Sequence, residues 1–169
     1  MAGEGTDWFE DPNKEYSERS APVIWYSTTL SDFSCVGVFE TKLKNVFDAT
    51  GIMIRIGDSW WGKLAYELSP RRKPTIVSVI SNPLSDDANG PEADGDTVHL
   101  RVIKKGATVS MHWRTDVDLW NLVRYCQIPS SESIEIGFFV QSPQGEGLEA
   151  RVSSCFLSSS VPEDIRSGE

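Results

Sequence analysis

The stretch GIMIRIGDSWWGKLAYE, residues 51–67, reads as two β-strands joined by a tight turn. Ile52, Ile54 and Ile56 alternate with Met53 and Arg55, and Gly57-Asp58 supplies the turn. Beyond it Trp60, Leu64, Tyr66 and Leu68 alternate with Trp61, Lys63, Ala65 and Glu67. Side chains on a strand point to opposite faces in turn, so this hairpin has one apolar face for a core. Its other face carries Arg55, Trp61, Lys63 and Glu67, chemistry that a bland outer surface does not need.

The rest of the chain repeats the pattern. APVIWYSTTL, DFSCVGVFETKL, TIVSVIS, TVHLRVIKKG, TVSMHWRTD, LWNLVRYCQI, ESIEIGFFVQS and LEARVSSCFLSS are short β-branched and aromatic runs. Turn signals separate them: SPRRKP, Lys105-Gly106 and Pro143-Gln144-Gly145-Glu146-Gly147. TIVSVIS is apolar on both faces, as a central strand is. Residues 83–96 read as a long polar loop, and the one helical candidate lies at 116–126. Roughly ten strands with frequent turns predict an all-β fold, a two-sheet antiparallel β-sandwich. The expected organisation is a flexible acidic N-terminal segment at 1–20, one sandwich domain at 21–160 and a C-terminal tail at 161–169. Trp8 and Phe9 are the large apolar pair of the first segment; they dock on the sandwich, close over a pocket, or stay disordered.

The chain has 169 residues, enough for a single core, and a net charge of −9. That charge argues against nucleic acid and anionic membranes as partners, because phosphate binding needs a basic surface. Cys35, Cys126 and Cys155 show no CxxC spacing, and neither His99 nor His112 lies near them in sequence, so no zinc pattern or disulfide framework is present. Cys126 and Cys155 read as core thiols, and reduced thiols suit a cytoplasmic protein. The N-terminus has no basic region followed by an apolar run, and no stretch approaches the roughly 18 apolar residues of a membrane span. Asp86, Asp87, Asp94 and Asp96 lack EF-hand spacing and read as a solvated acidic loop. No metal or cofactor is expected.

Alternation places Arg55, Lys63, Glu67, Arg101 and Arg124 on outward positions of several strands, with Met53 and Trp61 beside them, Trp113 or His112 with Arg114 joining from the later hairpin, and Gln141 completing the set. The expected partner is a small-molecule or sugar-like ligand: Trp61 stacks, the cations donate and Glu67 accepts. If the groove is instead an active site, Glu67 and His112 are the candidates for proton transfer, in a cofactor-independent isomerase or cyclase. An ordinary exposed sheet face with cross-strand ion pairs is the competing reading.

Gly51 through Arg55 followed by Trp61, Lys63 and Glu67 resembles the signature of the DUF1349 family. TIVSVISNPLSDDA, LRVIKKG, the Trp120-to-Arg124 spacing and IGFFVQSPQGEG extend the resemblance over about residues 30–158; Ala65 stands where the family usually has Gly. The resemblance implies a concanavalin-like jelly roll, two curved sheets with a concave groove. It does not imply glycoside hydrolysis. Retaining glycosidases need two carboxylates about 5 Å apart, and Glu67 is the single acid the sequence places on the groove face.

Overall fold

In a computed structural model that describes residues 1–115, 118–131 and 133–168, the chain is all-β, with no helix among those residues. The strands in order are β1 (Ala2–Gly3), β2 (Trp8–Glu10), β3 (Ser17–Arg19), β4 (Val23–Thr28), β5 (Phe33–Thr41), β6 (Ala49–Ile56), β7 (Trp60–Leu68) and β8 (Pro74–Ser81). They continue as β9 (Ser85–Glu92), β10 (Thr97–Lys105), β11 (Thr108–Arg114), β12 (Asn121–Gln127), β13 (Ile134–Gln141), β14 (Gly147–Leu148) and β15 (Ala150–Ser158). One sheet has six strands in the order β4-β13-β6-β7-β8-β9; the other has five, β12-β11-β10-β5-β15. Every strand pairing is antiparallel.

The hairpin of residues 51–67 forms the centre of the six-stranded sheet. Its register pairs Met53 with Lys63 and Arg55 with Trp61, across the Gly57 turn, where a φ of 58° suits glycine. Ile52, Ile54, Ile56, Trp60, Leu64 and Tyr66 meet Phe33, Phe39, Leu100, Val102 and Met111 of the facing sheet in the main core. Alternation then sends Met53, Trp61 and Ala65 to the outer face, where a second apolar cluster forms with Val77, Val79 and Phe139. This layer lies outside the two-sheet sandwich, and Trp8 and Ala21 cover it.

The N-terminal segment is therefore not a free tail. β2 and β3 make a small hairpin, and β1 pairs with β14. Trp8 is 7% exposed, and its indole nitrogen donates to the Ala21 carbonyl at 2.9 Å. Its ring meets Trp61 and Trp25 edge-on at 5.8 and 6.0 Å. Polar ties fix the cap at its rim: Glu10 N–H donates to Ser85 Oγ at 3.0 Å and Arg19 donates to the Asp58 carbonyl at 2.8 Å.

Three other expectations change. Part of the polar loop at 83–96 is the edge strand β9. The helical candidate contains the half-exposed strand β12 instead; its Asp116 and Val117 lie outside the described residues. Of the two cysteines read as core thiols, Cys126 is half-buried and Cys155 is exposed, whereas Cys35 is buried and burial pushes its thiol up to about 12. At the other terminus Ile165 is buried, and Lys105 Nζ donates to the Pro162 and Glu163 carbonyls. Residues 162–168 thus lie against the five-stranded sheet.

Candidate functional site

A cavity of about 340 Å³ opens on the outer face of the six-stranded sheet, beside the N-terminal cap. Lys63 and Glu67 of β7, Val79 of β8, Asp87 of β9 and Gln141 of β13 supply its sheet wall. Asp7, Phe9 and Tyr16 come from the cap, and Phe47, Pro143 and Gln144 from two loops. Lys63 and Glu67 lie four residues apart on one strand, so they share a face by strand geometry.

Lys63 is 2% exposed. Its ammonium donates to the Trp8 carbonyl at 2.9 Å and to Gln141 Oε1 at 3.2 Å, and lies 3.8 Å from the Asp7 carboxylate. A buried ammonium needs such partners, and here they come from the cap and from β13. Gln141 completes the link by donating from Nε2 to the Phe47 carbonyl at 3.2 Å.

Phe47 itself sits at φ 67°, a conformation that a bulky side chain adopts only when its surroundings impose it. The neighbouring Asp48 supplies that constraint. Its carboxylate accepts from the Lys44 and Asn45 amides at 3.1 and 2.9 Å and from Ser142 Oγ at 2.7 Å. Phe47 N–H donates to the Leu68 carbonyl at 2.8 Å. The aromatic ring on the cavity wall is thus held by a buried polar staple.

Glu67 is 7% exposed, and no described side chain or amide donates a hydrogen bond to its carboxylate. Burial pushes it up to about 7 from an ordinary 4.5, offset in part by Lys63 and reinforced by Asp87 and Asp7. Asp7 and Asp87 are raised as well, again by burial first, with Lys63 opposing. Tyr16, whose hydroxyl lies beside Asp7, is raised to about 12 by burial and by that carboxylate. The cavity therefore holds three carboxyl groups and one ammonium. No group of described His, Cys, Asp and Glu side chains lies close enough together to hold a metal ion.

The expected single acid among several bases is reversed. Of the ten candidates, Lys63, Glu67 and Gln141 line the cavity. Met53 and Trp61 share their face but are fully buried within the apolar layer that the cap covers. Arg55 also shares the face, yet its guanidinium is bound to Glu135 at 2.5 Å and stacked over Trp25 at 4.4 Å. The other four belong to the five-stranded sheet. Arg124 points inward and ties the sheets at their edge, donating to Ser78 Oγ and Asp86 Oδ1, each at 3.1 Å. Trp113 packs against the main core. Arg101 and His112 face each other in register on the outer side of that sheet, on the opposite side of the sandwich from Glu67. There Arg101 stacks on Trp120 at 4.2 Å and donates to the Gly168 carbonyl at 2.5 Å. His112 is fully buried and lowered to about 4, by burial and then by Arg101. It cannot share a proton-transfer site with Glu67.

Sequence reasoning missed Asp7, Tyr16, Phe47 and Asp87 as cavity residues, and had Phe9 closing over a pocket as one of three alternatives. The signal for the cap was Trp8-Phe9, an aromatic pair in an otherwise polar segment.

The β-sandwich is a widely shared architecture, and comparison narrows it. The family model described as protein of unknown function (DUF1349) matches residues 1–159, and the chain belongs to that family. It is 25% identical over 155 residues to regulation of enolase protein 1 of Saccharomyces cerevisiae, covering 91% of this chain and 77% of the yeast protein. A crystal structure described as a functionally unknown protein from Saccharomyces cerevisiae superposes with a TM-score of 0.87 at 24% identity, over 95% of this chain and 86% of that one. Xylan beta-1,4-xylosidase from Bacillus halodurans C-125 matches with a TM-score of 0.73 at 11% identity, over 93% of this chain but 32% of the enzyme. The jelly-roll sandwich is thereby shared with a portion of a much larger glycosidase. No described helix is long and apolar enough to cross a membrane.

Proposed function

We propose that this protein binds a small polar molecule in the cavity between the N-terminal cap and strands β7, β8, β9 and β13. One observation carries the reading: Glu67 is more than nine-tenths buried, lines the cavity and accepts no hydrogen bond from the described residues. A carboxyl group that faces a cavity with no donor from the described fold is free to meet a ligand there, and carboxyl groups perturbed in this way cluster at functional sites. The aromatic walls and the fixed Gln141 and Lys63 groups fit the usual make-up of small-ligand pockets, and the volume is at the small end of their range. The xylosidase likeness supports a sugar-like ligand only as an analogy of fold.

The test is a melting-temperature screen of monosaccharides, polyols and small polar metabolites against the full chain. A ligand of this cavity stabilises the wild type and loses that effect in Gln144→Trp, which places a bulky ring at the cavity rim. A hit that stabilises both equally binds elsewhere and would remove the cavity from the account.

A second reading, a cofactor-independent enzyme such as an isomerase or cyclase, is favoured by Glu67 itself. A carboxyl group at about 7 can give or take a proton near neutral pH. NMR of each hit after incubation with the protein separates the two. Recovery of unchanged compound supports binding; conversion that Glu67→Gln abolishes supports catalysis.

A further inference from the structure

The chemistry of the cavity points to the charge of its ligand. We propose that the ligand is a small organic cation, a protonated amine on a compact polar or aromatic body, held among Asp7, Glu67 and Asp87. This deepens the ligand-binding reading and rests on it.

Three separate parts of the chain bring a carboxyl group to one cavity: the N-terminal cap, the central strand β7 and the edge strand β9. The one cation among the described cavity residues, Lys63, has its ammonium turned to Trp8, Gln141 and Asp7. It is committed to the protein and is a poor anion receptor. Arg124, the other cation felt by Asp87, is turned toward Asp86 and Ser78. With all groups ionised, three carboxylates face one ammonium.

Glu67 supplies the independent pointer. Its carboxylate faces the cavity and accepts no hydrogen bond from the described residues, so what fills that space is left to supply its donor. An ammonium donates up to three hydrogen bonds and accepts none, the complement of carboxylate oxygens. Phe9, Tyr16 and Phe47 line the same space, and aromatic faces attract cations. The acids come from three different strands or loops, and no described group of them can hold a metal ion. That arrangement suits a charged group carried on a molecular body.

The charged and titratable neighbours set the pH behaviour. Glu67 faces Lys63, Asp87 and Asp7; Asp7 faces Lys63, Tyr16 and Glu18; Asp87 faces Lys63, Arg124 and Asp86. Ionising the acids as pH rises strengthens cation binding until the amine itself deprotonates.

The experiment titrates the full chain at pH 8 by calorimetry with two matched pairs, benzylamine with benzyl alcohol and ethanolamine with ethylene glycol. The amine of at least one pair should bind at least tenfold more tightly than its neutral partner. Glu67→Gln should reduce that affinity about tenfold. Asp87→Asn, on the edge strand β9, should reduce it severalfold. Neutral partners binding as well as or better than the amines would overturn the cation assignment and leave the pocket reading standing. No binding by any of the four up to 10 mM would count against both.

Discussion

Replacing Trp8 by Ala tests whether the N-terminal segment is a built part of the site. Trp8 is 7% exposed, bonded to Ala21 and flanked by Trp61 and Trp25. Truncating a buried Trp typically costs about 3–5 kcal/mol; that total includes two edge-on aromatic pairs at roughly 0.5–1.5 kcal/mol each and one hydrogen bond near 1 kcal/mol. The main core does not contain Trp8, so the loss falls on docking of the cap and stops when the cap has detached. The expected result is a protein with its sandwich intact, amide exchange in residues 1–21 accelerated by two or more orders of magnitude, and red-shifted emission from newly wetted Trp61. Hydrogen exchange and fluorescence read both. Unchanged exchange across residues 1–21, with a stability loss under about 0.5 kcal/mol, would refute the cap.

Three further outcomes follow from the same geometry. Glu67 is raised from 4.5 to about 7, so the folded state holds its proton more tightly than the unfolded chain. The stability this gives is full below the unfolded value and is lost as pH rises to about 7, at most about 3 kcal/mol; denaturation from pH 4.5 to 8 should show Glu67→Gln lacking that loss. Lys63→Met removes the cation that lowers Glu67, so in a carboxyl-detected NMR titration Glu67 should titrate higher than in the wild type, and urea denaturation should show a loss of about 1.5–3 kcal/mol for the missing charged hydrogen bonds. Gly51→Ala puts a Cβ 2.0 Å from the Leu64 carbonyl oxygen, a backbone clash that should cost about 1–3 kcal/mol or more in the same assay.

The sandwich was legible because its central strands obey period two: the hairpin of residues 51–67 shows both its turn and its two faces in sequence. The same alternation correctly put Arg55, Trp61, Lys63 and Glu67 on one side. It could not say which sheet a distant strand would join. Arg101 and His112 are outward-facing as their parity implies, but outward from the opposite sheet, because β10 pairs with β5 and β11, and not with β9. The acids of the site were hidden for a different reason. Asp87 lies on an edge strand whose SDDANGPE composition has no apolar face to alternate. Asp7 lies in a segment too polar to announce burial, and it is buried because Trp8 beside it finds a fully covered apolar layer that the outer face of an ordinary sheet would not offer.

Glu67 is a cavity carboxyl group with no donor among the described residues, and the proposed guest is a cation. Carboxyl-detected NMR titration of Glu67, in the full chain with and without benzylamine, tests this directly. The account predicts a midpoint near 7 in the protein alone and a clear downward shift with the amine present, because a nearby cation favours the ionised form. A midpoint near 4.5, unmoved by the amine, would contradict it.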